Sequence, residues 1–206
     1  MCEYKHKIMQ KAKRDQKIDV ILSSTIELLA EKGYADTSIA DIASRAKVYK
    51  SLLHYYFKDK EDLMSKALAS RSNTMIQPAK EALSAVKSID ELVDGAISFF
   101  KRDMEQNPEF FGLIFETWCT ARRSKRIKEE FNAGISQRTA DIKEVLEGAA
   151  KEHLISVQDP AEFEGLARII VALYHGIALQ LIHNPDIGSN QRMWDKLKKM
   201  LMAGLS

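Results

Sequence analysis

Tyr49, Lys50, Ser51, His54 and Tyr55 stand within seven residues of one another, and each carries a group able to donate a hydrogen bond to an anionic oxygen. The stretch continues as SLLHYYFKDKEDL (51–63), where Tyr55, Tyr56 and Phe57 adjoin and a dense run of charge follows. Three neighbouring aromatics on one short helix cannot all be buried. Part of the cluster makes sense against a phosphate backbone, where a phenol offers a hydroxyl to an oxygen and stiff bulk for position. Such contacts fix register and do not read sequence. The plain alternative is a solvated polar face.

Other chemistry is sparse. The sequence holds no paired-carboxylate metal motif, no His/Cys/Glu ligand spacing, no glycine-rich phosphate loop and no nucleophile elbow. No catalytic residue, metal or cofactor is therefore expected, and the chain is not expected to be an enzyme. Cys2 and Cys119 give no disulfide framework and read as free thiols of a reducing cytoplasm, with redox sensing by Cys119 as the alternative. A net charge of +2 neither demands nor excludes an acidic partner. Locally, Lys5, Lys7, Lys11, Lys13, Arg14 and Lys17 face only Glu3 and Asp15. This basic arm is either a solvated tail or an arm that adds electrostatic affinity for DNA or enters its minor groove. The first 14 residues lack the apolar core of a secretory signal. The apolar run 169–182 falls short of the roughly 20 residues a membrane span needs. A cytoplasmic protein with no membrane partner is expected.

The elements that must position these groups are all helical. Glycine and proline are scarce, at nine and four, and apolar residues recur at helical spacing almost throughout. A first helix over 15–32 carries Ile18, Ile21, Leu22, Ile26 and Leu29 on one face and stops at Gly33. Thr37 or Ser38 then caps a helix of about eight residues, with Asp41 in the capping-box region. A turn at Lys47-Val48 leads to a second short helix over 49–55, and Asp59 caps the next. That helix reaches about residue 86 with a break or bend near Pro78; longer ones follow over 89–106, 108–123, 125–153, 160–183 and 189–203. Two helices of about eight residues are marginal alone and must be packed by the first. That is the helix-turn-helix plan, whose second short helix enters a major groove.

The stretch 37–63, TSIADIASRAKVYKSLLHYYFKDKEDL, resembles the DNA-binding signature of the TetR family of bacterial transcriptional repressors. The resemblance rests on the Thr/Ser opening, Asp41-Ile42-Ala43, Lys50, Leu53, Tyr56-Phe57, Lys60 and Leu63. NPEFFGLIFETWCTARR (107–123) and LYHGIALQLI (173–182) resemble the regulatory half of the betaine-regulator-like branch. The likeness implies an all-α chain of about nine helices. Residues 1–63 would form a three-helix helix-turn-helix domain, and 64–206 a helical ligand-binding and dimerisation domain. It further implies Thr37 and Ser38 as phosphate anchors at a helix N-terminus. Lys50 and Ser51 would touch base edges or backbone with Tyr49 near the groove floor, and His54, Tyr55 and Lys60 would touch phosphates. Two departures matter. Lys47 stands where the family has glycine, so a non-glycine residue is expected in a left-handed conformation. Tyr49 and Leu52 replace frequent hydroxyl residues, so the sequence specifies no operator.

One such trio reads one half-site, so a homodimer on a palindromic operator in double-stranded DNA is expected. The helix over 163–183 is apolar nearly all round. Its Ile170, Leu173, Ile177 and Leu181, with Met193, Leu197 and Met200 of the last helix, are expected at the dimer interface; the alternative is intrachain core. Phe99, Phe100, Met104, Phe110, Phe111, Phe115, Trp118 and Tyr174 cluster between the two regions, with His175 and Cys119 as polar points. Each aromatic can equally be ordinary core. The family likeness implies that some of them, above all Phe100, Met104, Phe111, Phe115, Trp118, Tyr174 and His175, line a pocket for a largely apolar or cationic small molecule. The ladder Arg122, Arg123, Lys125, Arg126 and Lys128 reads as a solvated loop and helix start. The leading functional reading is a ligand-responsive transcriptional regulator, a repressor released from its operator by an effector. The alternatives are an activator with the same fold and a non-specific helical DNA-binding or architectural protein.

Overall fold

A computed structural model describes residues 2–157 and 159–206, with side chains outside 2–11, 71–79 and 84. The helices are α1 (Cys2–Asp36), α2 (Ile39–Arg45), α3 (Lys50–Tyr56), α4 (Lys60–Ser84), α5 (Ile89–Gln106), α6 (Pro108–Ala121), α7 (Lys125–Lys151), α8 (Pro160–His183) and α9 (Gln191–Leu205). A short 3-10 turn, Pro185–Ser189, joins the last two. No strand occurs among the described residues, and the all-α expectation holds.

Local chemistry accounts for most boundaries. Ser38 closes a full capping box with Asp41 at the start of α2, and Asp59, Ser88, Ser124 and Asp159 cap α4, α5, α7 and α8 with their side chains. Pro108 and Pro160 occupy first turns, where a missing N–H costs nothing. The exit from α2 is a Schellman motif. Val48 N–H reaches Ala43 O at 3.0 Å and Lys47 N–H reaches Ser44 O at 3.1 Å, which forces Lys47 to φ 54°.

Two helices differ from expectation. α1 starts at Cys2 and not near residue 15, because residues 2–14 contain neither glycine nor proline to stop it. The side chains of Lys5, Lys7 and Lys11 lie outside the described residues; Lys13, Arg14 and Lys17 are exposed, and the Arg14 guanidinium sits 5.5 Å over the Tyr56 ring. Gly33, at φ 75° and ψ 173°, is non-helical and breaks the helix where the sequence predicts its stop, leaving a short turn up to Asp36 beyond the kink. α4 is a single helix past position 78.

Three clusters of buried side chains hold the chain together. Ile21, Leu22, Ile42, Leu53, Phe57 and Leu63 centre the small core of α1–α4. Leu29, Met64, Leu113, Ala121 and Ile127 form a joint between that unit and α6–α7. The third core lies among α5–α9 around Phe100, Phe111, Phe163, Tyr174 and Trp194, whose indole N–H donates to Gly188 O at 2.9 Å. Residue 63 falls inside α4, whose Leu63 serves the small core and Met64 the joint, so one helix belongs to both units. By length and composition α8 is apolar enough to cross a membrane. One face of it packs on α6 and α7, while only 22% of its apolar window is buried.

Candidate nucleic-acid interface

α3 is seven residues long, and its faces are cleanly divided. Leu53 is buried at 1% exposure and Phe57, just beyond the helix, at 4%. Tyr49 and Tyr55 stand out at 86% and 77% exposure, with Lys50, Ser51 and His54 exposed beside them. Tyr56 is half-buried between, edge-on to Tyr55 at 5.0 Å and to Phe57 at 6.3 Å. The aromatic triplet is thus a graded seam in which Phe57 anchors, Tyr56 supports and Tyr55 projects. An outward row of phenol, ammonium, hydroxyl and imidazole can donate to phosphate oxygens and base edges. Ser38 lies exposed beside that row at the α2 N-terminus; its hydroxyl and its backbone N–H both donate to the Asp41 carboxylate and hold it below the usual carboxylate range.

Two expected phosphate contacts are placed differently. Thr37 is buried at 2% exposure, and its hydroxyl donates to Gly33 O at 2.7 Å and Leu28 O at 3.3 Å. It ties the α1 end to α2 because the kink at Gly33 turns that carbonyl toward it. The Lys60 ammonium donates to the Tyr34 carbonyl and lies 4.0 Å from the centre of the Tyr34 ring. Burial there pushes the Lys60 pKa down. Thr37 lies inside the unit, whereas Lys60 is half-buried at its edge.

Polar ties join this unit to the rest. Glu116 on α6 accepts the Tyr34 N–H at 2.6 Å. Arg126, from the basic ladder, reaches Asp59 at 2.7 Å, Asp62 at 2.9 Å and Glu130 at 3.3 Å, while Lys66 holds Asp62 at 2.9 Å. Arg122, Arg123, Lys125 and Lys128 are exposed.

Two of the cavities among the described residues lie in the larger unit. One, of about 90 Å³, is walled by residues of α4 to α9 and includes Phe99, Phe100, Phe110 and Tyr174. The other, of about 390 Å³, lies among α4, α6, α7 and α8 and includes Thr117 and His175. Of the expected pocket residues, Phe100 and Tyr174 line the first and His175 the second. Met104 and Phe111 are buried core that supports them, Phe111 packing edge-on to Tyr174 at 5.4 Å. Phe115 leans on Trp118, which is 58% exposed and lines neither cavity, as its position on α6 turns it outward. Cys119 is exposed as well.

Sequence reasoning missed Asp103, Arg138 and Asp141. Asp103 is 4% exposed, accepts from the Tyr174 hydroxyl and from Asn107 Nδ2 at 2.9 Å, and lines the first cavity. The signal was a carboxylate three residues after Phe100, on the apolar face of α5. Burial, and next the Asp103 charge, push the Tyr174 phenol far up; burial, and next Arg138, push His175 down to about 4.

The expected dimer residues differ in how much surface one copy leaves open. Ile170, Leu173, Ile177, Leu181 and Met193 are half-buried against the core and Leu197 is buried, whereas Met200 is 58% exposed. The outward face of α8 is instead Gly165, Ile169, Ala172, Gly176 and Leu179.

Residues 21–67 match the sequence model of bacterial regulatory proteins of the tetR family. The HTH-type transcriptional activator FasR of Mycolicibacterium smegmatis is 25% identical over 103 residues, covering 50% of this chain and 47% of FasR, so the match spans about half of that relative's length. The HTH-type nicotine-responsive transcriptional repressor HdnoR of Paenarthrobacter nicotinovorans is 21% identical over 177 residues, 86% of this chain and 89% of HdnoR. Among solved structures, Salmonella enterica GusR superposes with a TM-score of 0.75 at 19% identity, over 92% of this chain and 95% of GusR. The regulator FadR of Bacillus subtilis, solved in complex with stearoyl-CoA, gives 0.70 at 17% identity, over 91% and 98%. Residues 21–67 thus carry the sequence signature of the TetR family of bacterial transcriptional regulators, and the chain over most of its length shares the fold of the solved regulators.

Proposed function

We propose that this chain is a cytoplasmic homodimeric repressor that leaves its operator when a small effector binds the larger unit. The observation that carries the reading is the outward row of α3, where Tyr49, Lys50, Ser51, His54 and Tyr55 are all exposed above a buried Leu53. With Ser38 they form the DNA face; Thr37 and Lys60 hold it in shape. Two copies present two such faces about 34–36 Å apart, one turn of DNA, so that both enter successive major grooves. The exposed strip Gly165, Ile169, Ala172, Gly176 and Leu179, with Met200 of α9, is the proposed contact between copies, small residues allowing the helices to approach.

An effector acts by binding better to a form with different spacing of the two faces, and it shifts the population only by its differential affinity. α4 and the Arg126 and Glu116 ties are the route by which the cavities reach the DNA unit. That relatives include a nicotine-responsive repressor and a regulator solved with stearoyl-CoA supports a small, largely apolar effector. That FasR is named an activator favours a second reading in which the same contacts recruit transcription, since the sign depends on operator position.

The test is footprinting of purified protein on fragments of its own genome. Discrete protected sites with two-fold symmetry are expected. Uniform coating of all fragments, or indifference to duplex DNA at low ionic strength, overturns the proposal. In vitro transcription from a protected promoter then separates repression from activation.

A further inference from the structure

The two cavities meet at Arg138 and Asp141, which line both. These residues lie three apart on α7 and so share a face of that helix. Apart from these two and Lys80, Asp103 and Tyr174, the smaller chamber is lined by hydrocarbon, including Leu92, Phe99, Phe100, Val145, Ile170 and Leu201. One water needs about 10–15 Å³ of such space, so about 90 Å³ has room for several carbon-sized groups. That is the size of a medium alkyl chain.

The polar groups of this chamber are linked to one another. Tyr174 donates to Asp103, Lys80 lies 3.6 Å from Asp141, and the Arg138 guanidinium sits 5.6 Å over the Tyr174 ring. An occupant's polar end therefore belongs at this cluster, beside the shared Arg138. Both carboxylates are already answered by donors: Asp103 by Tyr174 and Asn107, Asp141 by Lys80 and by Gln137 at 3.3 Å. A guanidinium has five N–H groups and can serve an incoming anion together with its present partners. The positive field of Arg138 also falls on His175, whose pKa is pushed to about 4 by burial first and Arg138 second.

We infer that the effector is a medium-chain amphiphile with a carboxylate head, its tail in the apolar chamber and its head on Arg138 at the partition between the two cavities. The inference rests on the proposed effector role of this region and narrows it to one chemical class. His175, uncharged and reachable from the wider cavity, supplies a neutral hydrogen-bonding partner near that head.

The test uses three probes with one eight-carbon tail, octanoate, octanol and octyltrimethylammonium, titrated calorimetrically into the full chain. Octanoate should bind tighter than either of the others by about 10-fold or more, the usual worth of charge-assisted hydrogen bonds in a site shielded from water. Arg138→Gln should abolish that advantage while keeping octanol, and Arg138→Lys should restore part of it. Val145→Trp, which fills the chamber, should weaken octanoate and octanol together. Far-ultraviolet circular dichroism checks each variant's fold; should Arg138→Gln not fold, the wild-type comparison and Val145→Trp still decide. Tightest binding of the ammonium probe, an octanoate advantage surviving in Arg138→Gln, unaltered binding to Val145→Trp, or no binding of octanoate at millimolar concentration overturns the inference. DNA binding without probe is measured in parallel. Its loss refutes the regulatory proposal, whereas failure of octanoate with DNA binding intact refutes only the effector class.

Discussion

Lys47 sits at φ 54° because the Schellman exit of α2 demands it, and a residue with a Cβ loses about 1–2 kcal/mol in that region. Glycine avoids the clash but gives the unfolded chain more freedom, about 0.4–1 kcal/mol. Lys47→Gly should therefore raise stability by a net of about 0.5–1 kcal/mol, read from the urea midpoint. Lys50 is exposed in the row that faces DNA, and Lys50→Ala should flatten the slope of log affinity against log salt by up to about one unit. An unchanged slope measured by fluorescence anisotropy removes Lys50 from the phosphate contacts. His175 supplies a pH dependence. Its folded pKa of about 4 lies below the usual 6.5, so the unfolded chain takes up the proton first. The associated stability is present above pH 6.5 and is lost as pH falls toward 4, by at most about 3 kcal/mol. His175→Gln should lose less stability than the parent between urea melts at pH 7 and pH 4.5. Lys47 was legible in the sequence because its conformation follows from neighbours in the chain. Thr37 and Lys60 were not, because their partners are created when the α1 end folds back; Tyr34 O lies 26 residues before Lys60.

At the scale of elements, the kink at Gly33 sets where α1 hands over to α2. A Cβ there meets Glu116 Oε1 at 3.1 Å and is strained at φ +75° besides. Gly33→Ala should lower stability by about 1–2 kcal/mol and loosen the hydrogen bond from Tyr34 N–H to Glu116. Urea melts give the first quantity and amide exchange at Tyr34 the second. Helix starts were largely legible because Ser38, Asp59, Pro108 and Pro160 act through the nearest turn. The inward face of α8 was not. A helix apolar nearly all round carries no directional signal, so Ile170 and Ile177 could not be told from Ile169 until α6 and α7 were in place.

For the whole molecule, Ile169 at 57% exposure is the sharpest probe of association. Ile169→Arg changes little within one copy, about 0.5 kcal/mol or less for an exposed site. It should nevertheless shift the sedimentation coefficient from dimer to monomer and weaken binding to a two-fold operator. A dimer that survives the change moves the contact elsewhere. The general plan, a small DNA unit followed by a larger helical one, was legible from the two short helices and their capping residues. The cavities were not, since at least four separate helices wall each of them and no local pattern marks a space between helices.

The chain has only two tryptophans, and their surroundings differ sharply: Trp118 on α6 is 58% exposed, and Trp194 is 2% exposed with its indole bound to Gly188 O. The protein consequently carries two natural lamps of different colour. Iodide should dim the red-edge emission of the outer one and spare the inner one. Because Trp118 lies two positions from Glu116, a label-free fluorescence trace can follow α6 while the hidden indole serves as its internal standard.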